Sequence, residues 1–348
     1  MLKRLTKDFV TTSTRFLAGL AVLWIILPIP AAIVEMGYSR RIYPSLAWVV
    51  ISLTDWFAFS LAGVGLVVIP IFLVWWLVGY KKRVTLSLRV VGSVAVWGLA
   101  LYGGFVLLWG ANYRRESIEK ILNLQPALVQ TTDLERLAQN LLAVIQDNAA
   151  APQDYSKALV ALRVAIGRQL EQVQGFMPTL PTRVKATPAG LLLLLRTSGV
   201  VSPLTLEAHV DAALPEPFFL ACATHELVHT AGFAGEADTD LIAALSGLQA
   251  TDGYARYSVA LWYYAKILGD VSGEFRQSLR GRLPEVAKND YLALRTALEQ
   301  YRVPALADAA QYIYNQYLQS QGVEAGVKDY SRIGRLLAAA QRQKLIFR

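Results

Sequence analysis

The segment from Phe218 to Leu248 contains the spacing His-Glu-x-x-His at His225, Glu226 and His229. On an α-helix, positions four apart share a face, so both imidazoles can bind one Zn²⁺ ion while Glu226 lies beside its water. Zinc lowers the pKa of a bound water toward about 7, and a neighbouring carboxylate can then act as a general base. The spacing predicts a zinc hydrolase. The alternative is a surface helix that carries a histidine pair by coincidence.

A catalytic zinc ion needs a third protein ligand and an open position for water. Gly232 and Gly235 predict a turn after the motif, followed by a second helix with Glu236 and Asp240 on one face. We expect Glu236 to complete a His, His, Glu site and Asp240 to orient a ligand imidazole. Two alternatives stay open: Asp238 is the ligand instead, or Glu236 only favours a helix N-terminus.

Two further residues are candidates for stabilising an oxyanion. His209 lies in a predicted strand upstream of the motif, and such a strand could pair with an extended substrate backbone. The alternative for His209 is a polar residue on an exposed strand face. Tyr257 is our choice from a group of tyrosines downstream of the motif, most of which we expect in the core, because a tyrosine hydroxyl can stabilise a tetrahedral intermediate.

These residues need elements that position them, and the remaining pattern predicts a mainly helical frame with a small sheet. Thr132 and Glu135 form a capping-box pattern that opens a helix, and a second helix is expected from Asp154 to Val173. From Pro217 onward the pattern is helical again. Short strands are expected over Thr182–Ala186 and Gly199–Val210.

The N-terminal third of the chain is much more apolar than the rest. The 348 residues are 54% hydrophobic, with a mean hydropathy of +0.36, which indicates membrane segments beside a folded domain. The change in composition at Asn112 predicts a membrane anchor over residues 1–111 and a catalytic domain over residues 112–348. The three stretches that we expect to cross a bilayer are Phe16–Val34, Phe57–Gly79 and Arg89–Gly110.

Much of the net charge of +8 flanks these stretches, so we interpret it as a topology signal. The basic residues are Lys3, Arg4, Lys7 and Arg15 before the first stretch, and Lys81, Lys82, Arg83 and Arg89 between the second and third. The richer side normally stays in the cytoplasm, which predicts an extracytoplasmic catalytic domain. No basic stripe with interleaved aromatic residues suggests a nucleic-acid partner. Cys222 is the only cysteine, so no intrachain disulfide can form.

With these residues in view, the chain resembles a bacterial membrane-anchored, zincin-like family catalogued as domain of unknown function 3810. The resemblance covers nearly the whole chain and implies three transmembrane helices followed by a zincin-like α+β metallopeptidase domain. It implies no substrate. The family tends to have Asn at His209 and Asp240. The matching residues are Tyr43-Pro44, Trp109 to Arg114, Ser202 to Ala208, the motif through Gly232-Phe233 to Glu236 and Asp240, Tyr257-Ser258 and Asp329-Tyr330.

The sequence therefore predicts a membrane-anchored, gluzincin-like zinc peptidase on the outer face of the bacterial cytoplasmic membrane. Its expected cofactor is Zn²⁺, and its expected partners are a peptide or protein substrate and the lipid bilayer, without nucleic acid. The alternative is a catalytically inactive binding or scaffold protein that keeps a metallopeptidase fold. The intact Glu226 argues against that alternative, because a structural zinc site has no need of a general base.

Overall fold

The computed structural model describes residues 2–79, 88–323 and 325–347. This part of the chain is mainly helical with a small sheet, as the sequence predicts. The α-helices are α1 (Leu2–Ile26), α2 (Ala31–Ile33), α3 (Tyr43–Thr54), α4 (Leu61–Gly79), α5 (Leu88–Leu108), α6 (Ile118–Ile121), α7 (Thr131–Asn148), α8 (Tyr155–Gln174), α9 (Glu216–Thr230), α10 (Glu236–Leu248), α11 (Gly253–Ile267), α12 (Gly273–Gly281), α13 (Glu285–Gln300), α14 (Pro304–Ser320) and α15 (Ile333–Arg342). A π-helix spans Val34–Ile42, and 3₁₀ helices span Gly110–Arg114, Pro126–Leu128, Leu193–Leu195 and Gly326–Arg332.

The expected three transmembrane helices are not found in the described residues. No helix in this part of the chain is both long and apolar enough to cross a bilayer. The transmembrane part of the predicted fold, and with it the multi-pass placement in the bacterial cytoplasmic membrane, is therefore wrong.

The first two expected spans differ in extent from the helices, whereas the third, Arg89–Gly110, nearly coincides with α5. The first expected span is broken because α1 ends at Ile26 and residues 27–30, which include two prolines without an N–H donor, are not helical. In the second expected span, α4 begins four residues late, at Leu61, because the Glu207 carboxylate accepts hydrogen bonds from the Leu61 and Ala62 amides and fixes the helix start. The basic residues Lys81, Lys82 and Arg83, on which the predicted orientation depended, lie outside the described residues.

Helices α7 and α8 form one side of the main core. The leucines of α7 that recur at helical spacing are buried, as predicted. The capping box lies two residues earlier than predicted: the Asp133 carboxylate accepts a hydrogen bond from the Gln130 amide at 3.0 Å. Helix α8 matches its prediction, since the Asp154 side chain accepts from the Lys157 amide and the helix ends at Gly175, whose φ of +85° is left-handed.

The sheet lies against the helix that carries the His-Glu-x-x-His motif. Its strands are β1 (Lys185–Thr187), β2 (Gly199–Val201) and β3 (Ala208–Asp211), in the order β1-β3-β2. β1 runs parallel to β3 with Lys185 opposite His209, and β2 runs antiparallel to β3 with Gly199 opposite Val210. Strands form in both predicted regions, but β1 begins three residues later than predicted and the longer region divides into two strands. β3 is the central strand, and β2 is at an edge.

Helix α9 occupies the centre of the fold, where it packs against β2, β3, α8, α10 and α11. Pro217 occupies its first turn, where the missing N–H would have no helical partner. The segment before residue 112 also reaches this centre. The Tyr43 hydroxyl donates to the Thr230 carbonyl at 2.8 Å, and Trp109 packs in the same small apolar cluster as Tyr43. The last turn of α9 is therefore covered by residues that are distant in sequence.

Candidate metal centre

The two motif histidines lie one turn apart on α9 and project to the same side. Their ring centroids are 4.7 Å apart, and each residue is 8% exposed. The predicted helix and the shared face are both confirmed. The pair is therefore buried but still has a small opening, in contrast to the surface helix of the alternative interpretation.

Glu236 joins this pair from the first residue of α10. A turn after α9 returns the chain, and Gly232 supports it with a φ of +88°. The Glu236 Oε2 atom lies 3.1 Å from His225 Nε2 and 3.3 Å from His229 Nε2. Ligand atoms about 2.0 to 2.1 Å from a tetrahedral ion stand about 3.3 Å from one another. Two imidazoles and a carboxylate at this spacing fit a Zn²⁺ ion, and their ligand atoms all lie within 4.8 Å of one another.

Each histidine is oriented through its other ring nitrogen. His225 Nδ1 lies 3.0 Å from Asp240 Oδ1, which also accepts from the Tyr263 hydroxyl at 3.0 Å. Lys266 donates to the second oxygen of Asp240 at 2.6 Å. Asp240 thus lies behind His225, as predicted, so the Nε2 atom of that ring faces Glu236.

His229 uses a backbone acceptor in place of a carboxylate. Its Nδ1 atom donates to the Phe233 carbonyl at 2.6 Å. The same carbonyl accepts from the Thr239 hydroxyl at 2.9 Å. Because Nδ1 carries the proton in this contact, the lone pair of Nε2 is directed toward the shared centre. The turn between α9 and α10 therefore brings Glu236 to the histidine pair and orients His229 through the Phe233 carbonyl.

The charges of the cluster oppose the effect of burial. Burial alone would lower the pKa of His225, but Asp240 and then Glu236 outweigh it and raise the pKa to about 10. Burial would raise the pKa of Asp240, but Lys266 and His225 lower it to about 2. Glu236 has its pKa held well below the ordinary value by both histidines, against burial. These carboxylates are therefore anionic at neutral pH, as ligation of a cation requires.

Glu226 is a buried carboxyl in the same cavity. Burial raises its pKa to about 7, against the charges of the two histidines. The backbone of β2 lies against it: a Cβ atom added at Gly199 would be 2.6 Å from Glu226 Oε1 and 2.7 Å from Cys222 Sγ. A side chain at this position would collide with the carboxylate. Gly199 therefore permits the close approach of an edge strand to the candidate general base.

The cluster opens into a cavity of about 600 Å³. Its lining includes the edge strand β2 with the loop before it, and α14, which contributes Tyr314 and Tyr317. The Tyr314 hydroxyl donates to Glu236 Oε1. Trp109 packs edge-on to His229 with ring centroids 6.2 Å apart. Glu236, the candidate third ligand, is thus held from the side by a tyrosine that the sequence interpretation missed.

The other predicted site residues lie elsewhere. The Tyr257 hydroxyl donates to Asp290 at 2.6 Å, so α11 directs it away from the cavity. His209 Nε2 lies 2.8 Å from the Ser60 hydroxyl, and its ring is buried on the central strand rather than exposed at an edge. Neither residue lines the cavity, so the structure does not support an oxyanion role for either.

Asp238, the rival third ligand, faces away from the two histidines. Its carboxylate accepts from the Ile118 amide at 3.2 Å, and it is not in the group of possible ligands found in the described chain. Burial raises its pKa to about 7, which is unfavourable for a metal ligand. The choice of Glu236 over Asp238 agrees with this geometry.

The residues missed by sequence reasoning come from distant segments. Tyr314 is 78 positions from Glu236 along the chain, and only the three-residue spacing of Tyr314 and Tyr317 on one helix face marked them as a pair. Lys266 stands three positions after Tyr263 on α11, so both reach Asp240 from one face. A search for partners of Asp240 at helical spacing would have found this pair.

Comparison with known proteins gives a family without an assigned activity. A family model described as "Protein of unknown function (DUF3810)" matches residues 38–338. The match begins within the π-helix and ends in α15, so it includes every residue of the candidate metal centre. No curated protein and no solved structure matches the chain.

Proposed function

The chain belongs to the DUF3810 family of proteins of unknown function, and we propose that it is a zinc-dependent peptidase. The observation that carries the proposal is the convergence of His225, His229 and Glu236 on one point of a cavity that also contains the buried Glu226 carboxyl. Three donors leave a coordination position open, which is typical of catalytic rather than structural zinc. A purely structural zinc site would not need the Glu226 carboxyl beside the metal.

His225 and His229 would hold the metal through Nε2, and Glu236 through its carboxylate. Zinc in such a site acts as a Lewis acid that polarises a carbonyl and acidifies water. Glu226 accepts the proton of the attacking water and donates it to the leaving amine. A pKa near 7, as burial gives this carboxyl, suits a group that must both accept and release a proton. Tyr314, unlike Tyr257, lines this cavity, and its hydroxyl donates to Glu236 Oε1, so it would hold the third ligand in place.

A peptide is the substrate that best fits the walls of the cavity. The Asp211 amide donates to the Ser198 carbonyl and the Ser202 amide donates to the Glu207 carbonyl, so the even-numbered residues of this segment bond to β3. By alternation, the amides of Gly199 and Val201 are directed away from β3. An extended peptide can add to this edge as a further strand, with main-chain hydrogen bonds and next to Glu226.

The test uses the full-length chain, because residues before 112 contact the motif turn. Metal content and digestion of a random peptide library are measured for wild type and for Glu226→Gln. We expect about one zinc ion per chain in both proteins and a rate of cleavage that is lower by roughly 10²- to 10⁴-fold in the variant. Glu216→Gln, at an exposed position in the first turn of the same helix, is the matched control and should cleave at the wild-type rate.

Three outcomes would contradict the proposal. Folded wild type that takes up no zinc would exclude a zinc peptidase. Zinc-loaded wild type and Glu226→Gln that cleave equally fast would exclude the general base. If neither protein cleaves any peptide although both bind zinc, a binding or scaffold role becomes the better explanation.

A further inference from the structure

We propose that Arg115 is a positioning residue for the metal ligand His229, and that it acts through the turn between α9 and α10. The inference rests on the proposed metal site. Arg115 lies far from the motif in sequence, and sequence analysis did not select it as a candidate site residue. Its side chain is only 3% exposed, so its charge must be used inside the protein.

The guanidinium of Arg115 contacts both residues at the tip of the turn. Its Nη1 atom donates to the Gly232 carbonyl at 2.7 Å, and its Cζ atom lies 3.8 Å from the centroid of the Phe233 ring. The Phe233 carbonyl is the acceptor for His229 Nδ1 at 2.6 Å. The peptide unit before Phe233 and the Phe233 side chain are therefore held by one planar group, which restricts the direction of the Phe233 carbonyl.

The turn needs such support because it is not held by a continuous helical ladder. Gly232 has a φ of +88°, a conformation that glycine adopts without strain but does not favour over others. A Cβ atom at this position would be 2.7 Å from the Tyr43 ring, so a stiffer residue is excluded by packing. The flexibility that glycine brings must be removed by contacts from outside the turn. Arg115, the Tyr43 hydroxyl, which donates to the Thr230 carbonyl, and the Thr239 hydroxyl, which donates to the Phe233 carbonyl, supply them.

Arg115 is fixed in turn by Glu35 of the π-helix. The Nε atom lies 2.8 Å from Glu35 Oε2, and Nη2 lies 2.9 Å from Oε1, which is a bidentate pair between buried groups. Burial alone would raise the pKa of Glu35, but Arg115 and Arg40 lower it, so the carboxylate remains charged. The pair leaves Nη1 as the donor that reaches the turn. A chain of direct contacts thus runs from Glu35 through Arg115 and Phe233 to His229.

Arg40 provides a matched control for this chain of contacts. It shares the Glu35 carboxylate, with Nε 2.7 Å from Oε1. Its other donors reach the carbonyls of Gln174 and Val173 at the end of α8, rather than the turn. Arg40 and Arg115 therefore contribute to the same ion cluster, but only Arg115 connects that cluster to a metal ligand. A purely structural role would make the two residues equivalent for metal binding.

The experiment compares Arg115→Gln, Arg115→Lys and Arg40→Gln in the full-length chain. Zinc affinity is measured by competition with a chromophoric chelator, and thermal stability is measured without metal. We expect a 10- to 100-fold loss of zinc affinity in both Arg115 variants, the range typical of partners that orient a ligand. Arg40→Gln should lose stability but stay within about threefold of the wild-type affinity. Lys at position 115 keeps a charge for Glu35 but lacks the planar fork, so this variant separates orientation from folding.

The result that overturns the inference is an equal zinc affinity for Arg115→Lys and wild type, or an equal loss in Arg40→Gln and the Arg115 variants. If wild type binds no zinc, the proposed function fails, and a metal-free measurement decides this inference separately. The chain has three histidines, so nitrogen-15 spectra of the imidazoles can be assigned. Wild-type His229 should carry its proton on Nδ1, and the Arg115 variants should lose this preference. An unchanged tautomer in those variants would refute the positioning role.

Discussion

Two buried clusters among the described residues combine histidine with carboxylate, and they differ in what the imidazoles face. The metal cluster consists of His225, His229, Glu236 and Asp240, and the sheet cluster consists of Lys185, Glu207 and His209. In the metal cluster, two Nε2 atoms converge with a carboxylate on an open cavity. In the sheet cluster, His209 Nε2 is hydrogen-bonded to the Ser60 hydroxyl. The Glu207 carboxylate accepts hydrogen bonds from Lys185, Thr205 and two backbone amides.

The direction in which each histidine pKa is shifted follows from this difference. Burial lowers the pKa of His209. The nearby Glu207 carboxylate would raise it, but this effect is smaller and is opposed by the charge of Lys185. The pKa of His225 is raised to about 10, because Asp240 and Glu236 contact its ring directly and outweigh burial. Burial of a histidine beside charged residues is thus common to both clusters. Convergence of two Nε2 atoms and a carboxylate on an open cavity is what distinguishes a candidate ligand site from a structural contact.

The strongest test of this distinction removes one group from each cluster. Glu236→Ala should abolish stoichiometric zinc binding, because it deletes a ligand, whereas loss of an orienting partner alone costs about 10- to 100-fold. His209→Ala should bind zinc as tightly as wild type, within about threefold. Equilibrium dialysis followed by elemental analysis measures both. Zinc bound by Glu236→Ala and lost in His209→Ala would reverse the assignment of the two clusters.

The second test breaks the ion pair of the sheet cluster. Lys185 and Glu207 have side chains that are 5% and 1% exposed. Glu207→Gln leaves the Lys185 ammonium buried without its anion, and we expect a loss of about 3 to 5 kcal/mol in the free energy of unfolding. Urea denaturation measures this loss, while zinc affinity should not change. Glu299→Gln, in an exposed pair with Arg295, is the control and should leave stability unchanged. A variant with wild-type stability would mean that the pair does not hold the start of α4 on the sheet.

The third test removes a charge from behind the metal ligand. Asp240→Asn keeps the shape of the side chain but no longer neutralises Lys266 or favours one tautomer of His225. We expect zinc affinity to fall by about 10- to 100-fold, with one zinc ion still bound at saturation. Calorimetric titration measures both quantities. Affinity equal to wild type would show that His225 is oriented by packing alone, and the predicted orienting role of Asp240 would be refuted.

Local sequence spacing predicted the part of the site that lies on two consecutive helices. His225, His229 and Glu236 are within twelve positions, so helical periodicity and a glycine turn were sufficient to bring them together. Asp240 follows from the same spacing. Tyr314 and Arg115 could not be predicted in this way, because they reach the site by long-range packing of α14 and of the segment after α5.

The failures have physical causes of the same kind. His209 was expected at an exposed edge because the predicted strand gave no information about its neighbours; β2 and β1 flank it and make it central. Tyr257 was chosen by proximity in sequence, but the hydroxyl finds Asp290 on α13. The expected spans were inferred from apolar length alone, although prolines end α1 and Glu207 sets the start of α4. Sequence patterns therefore predicted local geometry well and tertiary contacts poorly.

The smallest expected effect concerns the response of His209 to pH. Since its pKa is lower in the folded than in the unfolded protein, the unfolded chain binds the proton more tightly. His209 therefore contributes stability that is present above about pH 6.5, its unfolded pKa, and is lost as the pH falls. His225 has the opposite sign in the metal-free protein: its contribution is present below about pH 6.5 and is lost as the pH rises through about 10.

His209→Gln removes the titration of the sheet cluster and keeps a side-chain amide for Ser60. Urea denaturation of metal-free wild type and variant between pH 5 and 7 measures the effect. The difference between the two proteins is informative, rather than either curve, because burial raises the pKa values of Glu226 and Asp238 to about 7 and both titrate in this range. Relative to the variant, wild type should lose at most about 1.4 kcal/mol per pH unit as the pH falls below about 6.5. A difference that stays constant over this range would mean that His209 is as easily protonated inside the protein as in water, and the contrast between the two clusters would then rest on geometry alone.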